Sequence, residues 1–231
     1  MKKLIIAHRG FHKFDRENTI AAFNQAIEIG ADGIEFDVRM TQDGILISHH
    51  DEMMENQYIK NLTYTQIKEI SARKGFSVPS VEEVLKLVRG KIKLFVELKE
   101  KGYEDEIVKL LLRYLSLSEF VLISFHVKSI QVIQDHYPNV KIGLLLRSRK
   151  AKILGFLVKV LWFLPNAILF GANPDILLPH FDGYSLDLLK LAQRKQKHLV
   201  LWTVNDEMMM RRFMEEDMVE GIVTDIPDVA I

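Results

Sequence analysis

Short runs of β-branched and other apolar residues alternate along the chain with segments of helical periodicity. The runs predict strands, and the periodic segments predict amphipathic helices. After the run Leu4–His8, a helix is expected to begin behind Asn18-Thr19 and to stop at Gly30, before a second strand over Gly33–Val38. This alternation is typical of βα units in a parallel sheet, and it restricts the fold to the α/β class.

The number of units predicts the architecture. Leaving out a hairpin after the second strand, we count eight strands with helices between them. A (β/α)8 barrel has this composition, and it is usually one domain of ~250 residues. We therefore expect residues 1–231 to form a single TIM-barrel domain, with a hairpin and a small insertion at about 40–80 after strand 2.

The segment Thr41–Gly44 separates two extended runs and predicts the hairpin, because Asp-Gly favours a two-residue turn. In the register that such a turn sets, Asp37 lies opposite His50. Glu35 lies two residues earlier on the same face of the strand. The turn therefore predicts that His50, rather than His49, faces two carboxylates.

Ionisable side chains stand at the ends of four apolar runs. Active sites of (β/α)8 barrels lie at the C-terminal ends of the strands, so we expect these side chains to meet at one rim. They are His8, Arg9, Glu35, Asp37, His50, Glu97 and Lys99.

The residue types at this rim indicate a chemistry. Glu35, Asp37 and Glu97 are oxygen ligands suited to one divalent cation, Mg²⁺ or Ca²⁺, and the chain has no cysteine to favour a softer metal. Without a cation the three carboxylates would repel one another. His8 and His50 could serve as general base and general acid, because an imidazole titrates near neutral pH.

Arg9 and Lys99 add positive charge beside the predicted metal. Arg binds phosphate in a bidentate manner and Lys acts as a point charge, although both could instead pair with the carboxylates. A cation, two histidines, Arg and Lys together resemble the groups that catalyse phosphoryl transfer.

Composition bears on nucleic-acid binding, and the N-terminal segment bears on the cellular location. The chain has 31 basic and 31 acidic residues, so there is no global electrostatic case for nucleic-acid binding. The N-terminal apolar run is too short for a signal peptide, and a cytoplasmic protein is expected. The sequence makes no prediction about the oligomeric state.

One apolar stretch has to be considered as a possible membrane-spanning helix. Ile153–Phe170 is mostly apolar but contains Lys159 and Pro165, so a spanning helix is not expected. The basic residues before it have two interpretations, neighbours of an ordinary barrel helix or peripheral contact of 147–170 with anionic lipid. They are Arg147, Arg149, Lys150 and Lys152.

Motifs in order along nearly the whole chain resemble the glycerophosphodiester phosphodiesterase family. They are His8-Arg9-Gly10, Glu17-Asn18-Thr19, Ala22-Phe23, Gly30-Ala31-Asp32, Glu35-Phe36-Asp37-Val38, Thr41-Gln42-Asp43-Gly44, His50-Asp51, Glu97-Leu98-Lys99, Trp202-Thr203-Val204-Asn205 and Thr224-Asp225-Ile226-Pro227.

The resemblance implies a (β/α)8 barrel and a metal-dependent hydrolase of small glycerophosphodiesters, with sn-glycerol 3-phosphate and an alcohol as products. It implies that His8 and His50 are the acid–base pair and that the three carboxylates bind the metal. It also implies that Arg9 and Lys99 contact the phosphate and that Trp202 lines the glycerol side. The alternative for Trp202, within an apolar strand, is a role in the barrel core.

Three other functions compete with this one. A lysophospholipid-directed phosphodiesterase of the same family would share every site residue, and the apolar 153–170 segment favours it. A barrel enzyme that enolises a carbonyl would use similar carboxylates but has less need of two histidines and Arg9. A non-catalytic binding barrel would be expected to lose a histidine or a ligand, and none is missing.

Overall fold

The computed structural model describes residues 2–148 and 171–231. Eight of its strands are parallel and close into a barrel, because the first pairs with both the second and the last. The predicted (β/α)8 barrel is confirmed. In chain order the strands are β1 (Leu4–His8), β2 (Gly33–Met40), β3 (Leu46–Ser48), β4 (Met53–Met54), β5 (Gln57–Tyr58), β6 (Lys93–Leu98), β7 (Phe120–Ser124), β8 (Ile142–Leu146), β9 (Ile176–Pro179), β10 (His198–Leu201) and β11 (Val219–Thr224), of which β3, β4 and β5 lie outside the barrel.

Helices lie between the barrel strands, and several of them begin at a residue whose side chain caps the helix. Thr19 accepts a hydrogen bond from the backbone of Ala22, and Ser80 forms a capping box with Glu83. The described helices are α1 (Ile20–Glu28), α2 (Tyr64–Arg73), α3 (Val81–Val88), α4 (Glu104–Tyr114), α5 (Val127–His136), α6 (Leu186–Arg194), α7 (Glu207–Glu215) and α8 (Pro227–Ala230), with short 3₁₀ turns at Ile59–Asn61 and Phe181–Gly183.

The barrel strands separate two apolar layers. Ile6 packs in a cluster built from strand residues, whereas its neighbours Ile5 and Ala7 pack in the larger cluster that also contains the helices. Phe95 on β6 belongs to the first cluster and Val96 to the second. Because side chains alternate along a strand, the first cluster fills the barrel interior and the second joins the barrel to its helices.

The hairpin after β2 forms, but its predicted register is wrong by one residue. Val38 lies opposite Ser48, and the His49 backbone N–H donates to the Asp37 carbonyl oxygen at 3.1 Å. Asp37 therefore lies opposite His49 and not His50. The length of the turn causes this shift in register.

The turn has three residues instead of two. The Thr41 N–H donates to the Ile45 carbonyl oxygen at 3.0 Å, and Gly44 alone adopts a left-handed conformation, with φ of +77°. A two-residue type I′ turn would require positive φ at Asp43 as well. Instead the Asp43 carboxylate accepts hydrogen bonds from the Thr41 hydroxyl and the Tyr64 backbone, which stabilises the longer loop.

The segment between β2 and α3 has a small apolar core of its own. It contains β3, the short β4–β5 hairpin, a 3₁₀ turn and α2. The two short strands were not predicted, because Met53–Tyr58 lacks an alternating pattern. The core of this insertion consists of Ile47, Met54, Ile59, Leu62, Ile67, Ile70 and Val78.

Within the described ranges, no helix is both long and apolar enough to cross a bilayer. The predicted helix Ile153–Leu164 and the basic residues Arg149, Lys150 and Lys152 lie outside the described residues. Contact of this segment with lipid stays a prediction.

Candidate active site

Strand pleating directs the three predicted carboxylates into the barrel. On β2, Ile34, Phe36 and Val38 pack against the helix layer, so Glu35 and Asp37 point the other way. On β6, Glu97 lies two residues beyond Phe95 and shares its inward face. The parallel register places Asp37 directly beside Glu97.

The carboxylates converge into one buried cluster. Glu35, Asp37 and Glu97 each have an oxygen within 4.8 Å of the others, and all three residues are buried. Lys99 Nζ lies 3.2 Å from Asp37 Oδ1 and 2.9 Å from Glu97 Oε1. Arg9 Nε lies 3.3 Å from Asp37 Oδ2, and the Arg9 backbone N–H donates to Glu35 Oε2 at 3.1 Å. Two cations therefore face three carboxylates.

The three carboxyl groups of this cluster differ in the direction of their pKa shifts. Burial, with the charges of Asp37 and Glu97, raises the pKa of Glu35 well above its ordinary value. Burial followed by the charge of Asp37 raises the pKa of Glu97 to about 7. Burial would also raise the pKa of Asp37, but Lys99 and Arg9 outweigh it and lower that pKa. Asp37 is thus the stably ionised member, and the other two need further positive charge to ionise fully.

This donor set fits a divalent cation. Glu97 Oε1 pairs with Lys99 Nζ at 2.9 Å, but the same ammonium is shared with Asp37 Oδ1. Three buried carboxylates that share two cations repel one another, and a divalent cation would remove that cost. Three carboxylate oxygens suit Mg²⁺ or Ca²⁺. The predicted ligand residues are therefore together, in an environment that favours added positive charge.

His8 is oriented by an aspartate that the sequence analysis did not assign. His8 Nδ1 lies 2.6 Å from Asp225 Oδ1, across the seam between β1 and β11. Because an ionised carboxylate only accepts, Nδ1 carries the proton and Nε2 is the free nitrogen. His8 Nε2 lies 3.9 Å from Glu35 Oε2, so it faces the carboxylate cluster.

Asp225 is itself held in place. Asn205 Nδ2 donates to Asp225 Oδ2 at 2.6 Å, and His12 Nε2 lies 3.4 Å from Asp225 Oδ1. Burial would raise the pKa of Asp225, but hydrogen bonds from His12 and His8 outweigh it and hold that pKa well below its ordinary value. Asp225 is therefore a permanent anion behind His8. The motif Thr224-Asp225 was the available sequence signal, since it follows the last strand.

The loop between β1 and α1 supplies two further supporting residues that were not assigned. Asn18 Nδ2 donates to Asp37 Oδ2 at 2.8 Å, and its Oδ1 accepts from the Asp37 backbone at 3.1 Å. Glu17 accepts two hydrogen bonds from Arg9 Nη1, at 2.8 and 2.9 Å. The motif Glu17-Asn18-Thr19 therefore fixes Asp37 and Arg9, and its place among the family motifs was the available sequence signal for it.

His50, and not His49, lines the site cavity, as the sequence predicted. The hairpin register from which this was predicted is nevertheless wrong. The chain leaves β3 after Ser48, and His50 then lines the cavity with Nδ1 at 2.9 Å from Asp51 Oδ1. His49 is buried, and burial lowers its pKa to about 4. Arg39 Nε donates to the His50 carbonyl oxygen at 2.8 Å, which fixes the backbone there.

One cavity of about 460 Å³ contains all of the predicted site residues except Asp37, which is buried between Arg9 and Lys99. Trp202 packs against the interior barrel cluster, and its contact with the glycerol side of a substrate stays a prediction. It lines the cavity, and its indole Nε1 donates to the Leu178 carbonyl oxygen at 2.7 Å. Three ionisable cavity residues had no predicted site role: Arg39, His126 and Arg147.

Comparison with known sequences decides the family. Residues 8–229 match the sequence model of the "Glycerophosphoryl diester phosphodiesterase family". The chain belongs to this family. The predicted family and the predicted enzyme class, a phosphoric diester hydrolase, are thereby confirmed.

Two relatives match over nearly their whole length. The chain is 31% identical to a glycerophosphodiester phosphodiesterase of Caldanaerobacter subterraneus subsp. tengcongensis, over 100% of this chain and 97% of the relative. It is 30% identical to a glycerophosphodiester phosphodiesterase of Bacillus altitudinis, over 98% of this chain and 96% of the relative. No large domain of these relatives is left unmatched.

Solved structures share the fold. A putative glycerophosphoryl diester phosphodiesterase from Silicibacter pomeroyi superposes with a TM-score of 0.80 at 21% identity, covering 99% of this chain and 91% of that one. An Oleispira antarctica phosphodiesterase, solved in complex with the product sn-glycerol-3-phosphate, superposes with a TM-score of 0.78 at 19% identity, covering 98% and 94%. These similarities support the barrel independently of the sequence match.

Proposed function

We propose that this protein hydrolyses glycerophosphodiesters to sn-glycerol 3-phosphate and an alcohol, in a reaction that requires one divalent cation. The observation that carries the proposal is the meeting of Glu35, Asp37 and Glu97 with Arg9 and Lys99, at a cavity lined by all of them except the buried Asp37. The names of the relatives and the product bound to the Oleispira antarctica phosphodiesterase support the choice of substrate.

Glu35, Asp37 and Glu97 would hold the cation, which we propose to be Mg²⁺ or Ca²⁺. When bound, such an ion neutralises negative charge on phosphoryl oxygens. Arg9 and Lys99 add two fixed positive charges beside it, and their side chains are mostly buried. In a buried site, charges aimed at the phosphate stabilise it more than they would in water.

His8 and His50 are the proposed acid–base pair. One takes a proton from the nucleophile, which is water or the glycerol 2-hydroxyl, and the other donates a proton to the leaving oxygen as its bond to phosphorus breaks. Asp225 supports a role for His8, since it leaves Nε2 as the nitrogen nearest the carboxylates. His50 lines the same cavity beside Asp51.

The test is a phosphodiesterase assay of the purified protein on glycerophosphocholine and glycerophosphoethanolamine, with and without EDTA. We expect activity that is lost in EDTA, restored by Mg²⁺ or Ca²⁺, and lost in His8→Ala. Full activity in EDTA, or in His8→Ala, would contradict the mechanism. Asp228→Ala is a suitable control, because Asp228 pairs with Lys13 and neither residue lines the cavity.

A lysophospholipid-directed phosphodiesterase is the second candidate. The apolar sequence of 153–170 favours it, as does the cavity wall formed by Phe125, Leu145 and Leu178. Parallel assays on lysophosphatidylcholine and glycerophosphocholine separate the two functions. A higher kcat/KM for the lysophospholipid would replace the first proposal.

We also propose a cytoplasmic location and peripheral contact of 147–170 with anionic lipid. Its basic residues would face phospholipid head groups. Liposome sedimentation tests the contact by comparing the wild type with a variant neutral at Arg149, Lys150 and Lys152. Equal sedimentation of the two proteins would contradict lipid contact through these charges.

A further inference from the structure

Arg147 is a cation in the cavity wall that the proposed mechanism does not use. It follows β8, it is exposed, and its Cζ lies 4.6 Å from the centre of the Phe125 ring. The other three Arg and Lys residues that line the cavity each pair with a carboxylate, namely Arg9, Lys99 and Arg39. Within the parts of the chain that the structure describes, Arg147 forms no ion pair.

Arg147 is too far around the barrel to duplicate the role of Lys99. Lys99 follows β6, and β7 lies between β6 and β8, so two strand spacings separate Arg147 from Lys99. At about 4.8 Å per spacing, this is roughly 10 Å along the wall. Arg147 therefore faces a different part of any ligand whose phosphate lies beside Lys99.

The aromatic wall near Arg147 would otherwise suit a quaternary ammonium group. Phe125 and Trp202 meet edge to face with ring centres 5.4 Å apart, and both line the cavity. Aromatic walls of this kind bind trimethylammonium groups through cation–π contacts. Here the guanidinium of Arg147 already lies over Phe125, so it competes with such a group and repels it.

We propose that Arg147 selects glycerophosphodiesters whose alcohol carries a further anionic group, a carboxylate or a phosphate, over those with a choline head group. The glycerol half is the same in every substrate and is uncharged, so an additional anion belongs to the alcohol. Arg147 is exposed, whereas Phe125 and Trp202 of the same wall are half-buried, so its position suits the end of the substrate that extends towards solvent. This inference rests on the proposed function.

Two substrates that differ by one carboxylate test the proposal, glycerophosphoserine and glycerophosphoethanolamine. The measured quantity is the ratio of their kcat/KM values. We expect the wild type to favour the serine diester, and we expect Arg147→Gln to lower the ratio roughly tenfold, since a charge-assisted contact is lost. Arg147→Lys should retain most of the ratio. Arg113→Gln, on the outer end of α4, controls for the change in net charge and should leave the ratio unaltered.

An unchanged ratio in Arg147→Gln, with activity retained, would overturn the inference. Failure of the proposed function gives a different result, since the wild type would then cleave neither diester. In that case the two intact diesters are compared by calorimetric binding to the wild type and to Arg147→Gln. Tighter binding of the serine diester that depends on Arg147 supports the inference, and equal binding overturns it. Circular dichroism of each variant verifies folding.

Discussion

Asp225 shows how a single carboxylate can control a neighbouring imidazole without touching substrate. It contacts His8 Nδ1, and it remains ionised because His8 and His12 both hydrogen-bond to it. A residue in this position fixes the tautomer and the ring orientation of the histidine. We therefore regard Asp225 as a positioning residue.

Replacing Asp225 by Asn should lower kcat roughly 10- to 100-fold, because the amide no longer selects the tautomer of His8 that leaves Nε2 free. The same change should lower the pKa of His12, which the Asp225 hydrogen bond now raises. Steady-state kinetics and NMR titration of the imidazoles measure the two effects. Asp228→Asn, three residues later, is the control and should change neither. A full loss of His8 orientation with normal kcat would contradict this role.

Glu97 predicts a pH dependence of stability in the metal-free protein. Its pKa is about 7 in the folded state against an ordinary 4.5, so the folded protein binds more protons than the unfolded chain between these values. The contribution of Glu97 to the free energy of unfolding is therefore fully present below about pH 4.5, and it is lost as the pH rises towards 7.

In EDTA, the free energy of unfolding of the wild type should accordingly fall more between pH 5 and pH 7 than that of Glu97→Gln. Urea unfolding at the two pH values measures the difference. Glu82→Gln, an exposed pair member on α3, is a control that should follow the wild type. Parallel pH dependence of the wild type and Glu97→Gln would contradict the assignment.

At the scale of elements, local signals predicted where segments begin, but not how neighbouring strands align. The capping residue Thr19 identified the start of α1, because a cap acts within one turn of helix. The hairpin register depended on Asp43, whose carboxylate contacts Tyr64, 21 residues away. A contact of that kind is not visible in the four residues of the turn.

Two glycines with similar backbones should respond differently to substitution. Gly10 and Gly44 have φ of +82° and +77°, so alanine costs about 1–2 kcal/mol at either position. A Cβ at Gly10 would also meet the backbone carbon of Ala22 on α1 at 2.8 Å, whereas a Cβ at Gly44 meets nothing within 4 Å.

Gly10→Ala should therefore destabilise the fold more than Gly44→Ala. It should also reduce activity, because Gly10 follows Arg9 in the site. Urea unfolding and kcat of both variants measure these effects, and Gly44→Ala is the matched control. Equal losses for the two variants would show that backbone strain alone, without contact with α1, accounts for both.

At the scale of the whole molecule, counting strands was sufficient to bring distant residues together. His8, Glu35 and Glu97 belong to three strands that are adjacent in the closed sheet. The (β/α)8 topology dictates that their C-terminal ends share a rim. What strand counting could not predict is the support around them, since Asn18 lies in a loop whose path depends on packing.

Cation binding should stabilise the entire barrel, because the ligands come from two different strands. At a free cation concentration of about 100 times Kd, binding adds ~2.7 kcal/mol. For a domain of this size the Tm should rise by roughly 5–10 °C. Calorimetry of the EDTA-treated protein with and without Ca²⁺ or Mg²⁺ measures this shift. Glu35→Gln should reduce the shift, and an undiminished shift would place the cation elsewhere.

The contact between His8 and Asp225 also has a consequence for synthesis in the cell. Asp225 follows His8 by 217 residues, and the two side chains meet only where β1 pairs with β11. A ribosome-bound chain that lacks the last strand has His8 but not the group that orients it. Hydrolytic activity should therefore appear late, when the final strand leaves the exit tunnel. The time at which activity appears would therefore report when the barrel closes during translation.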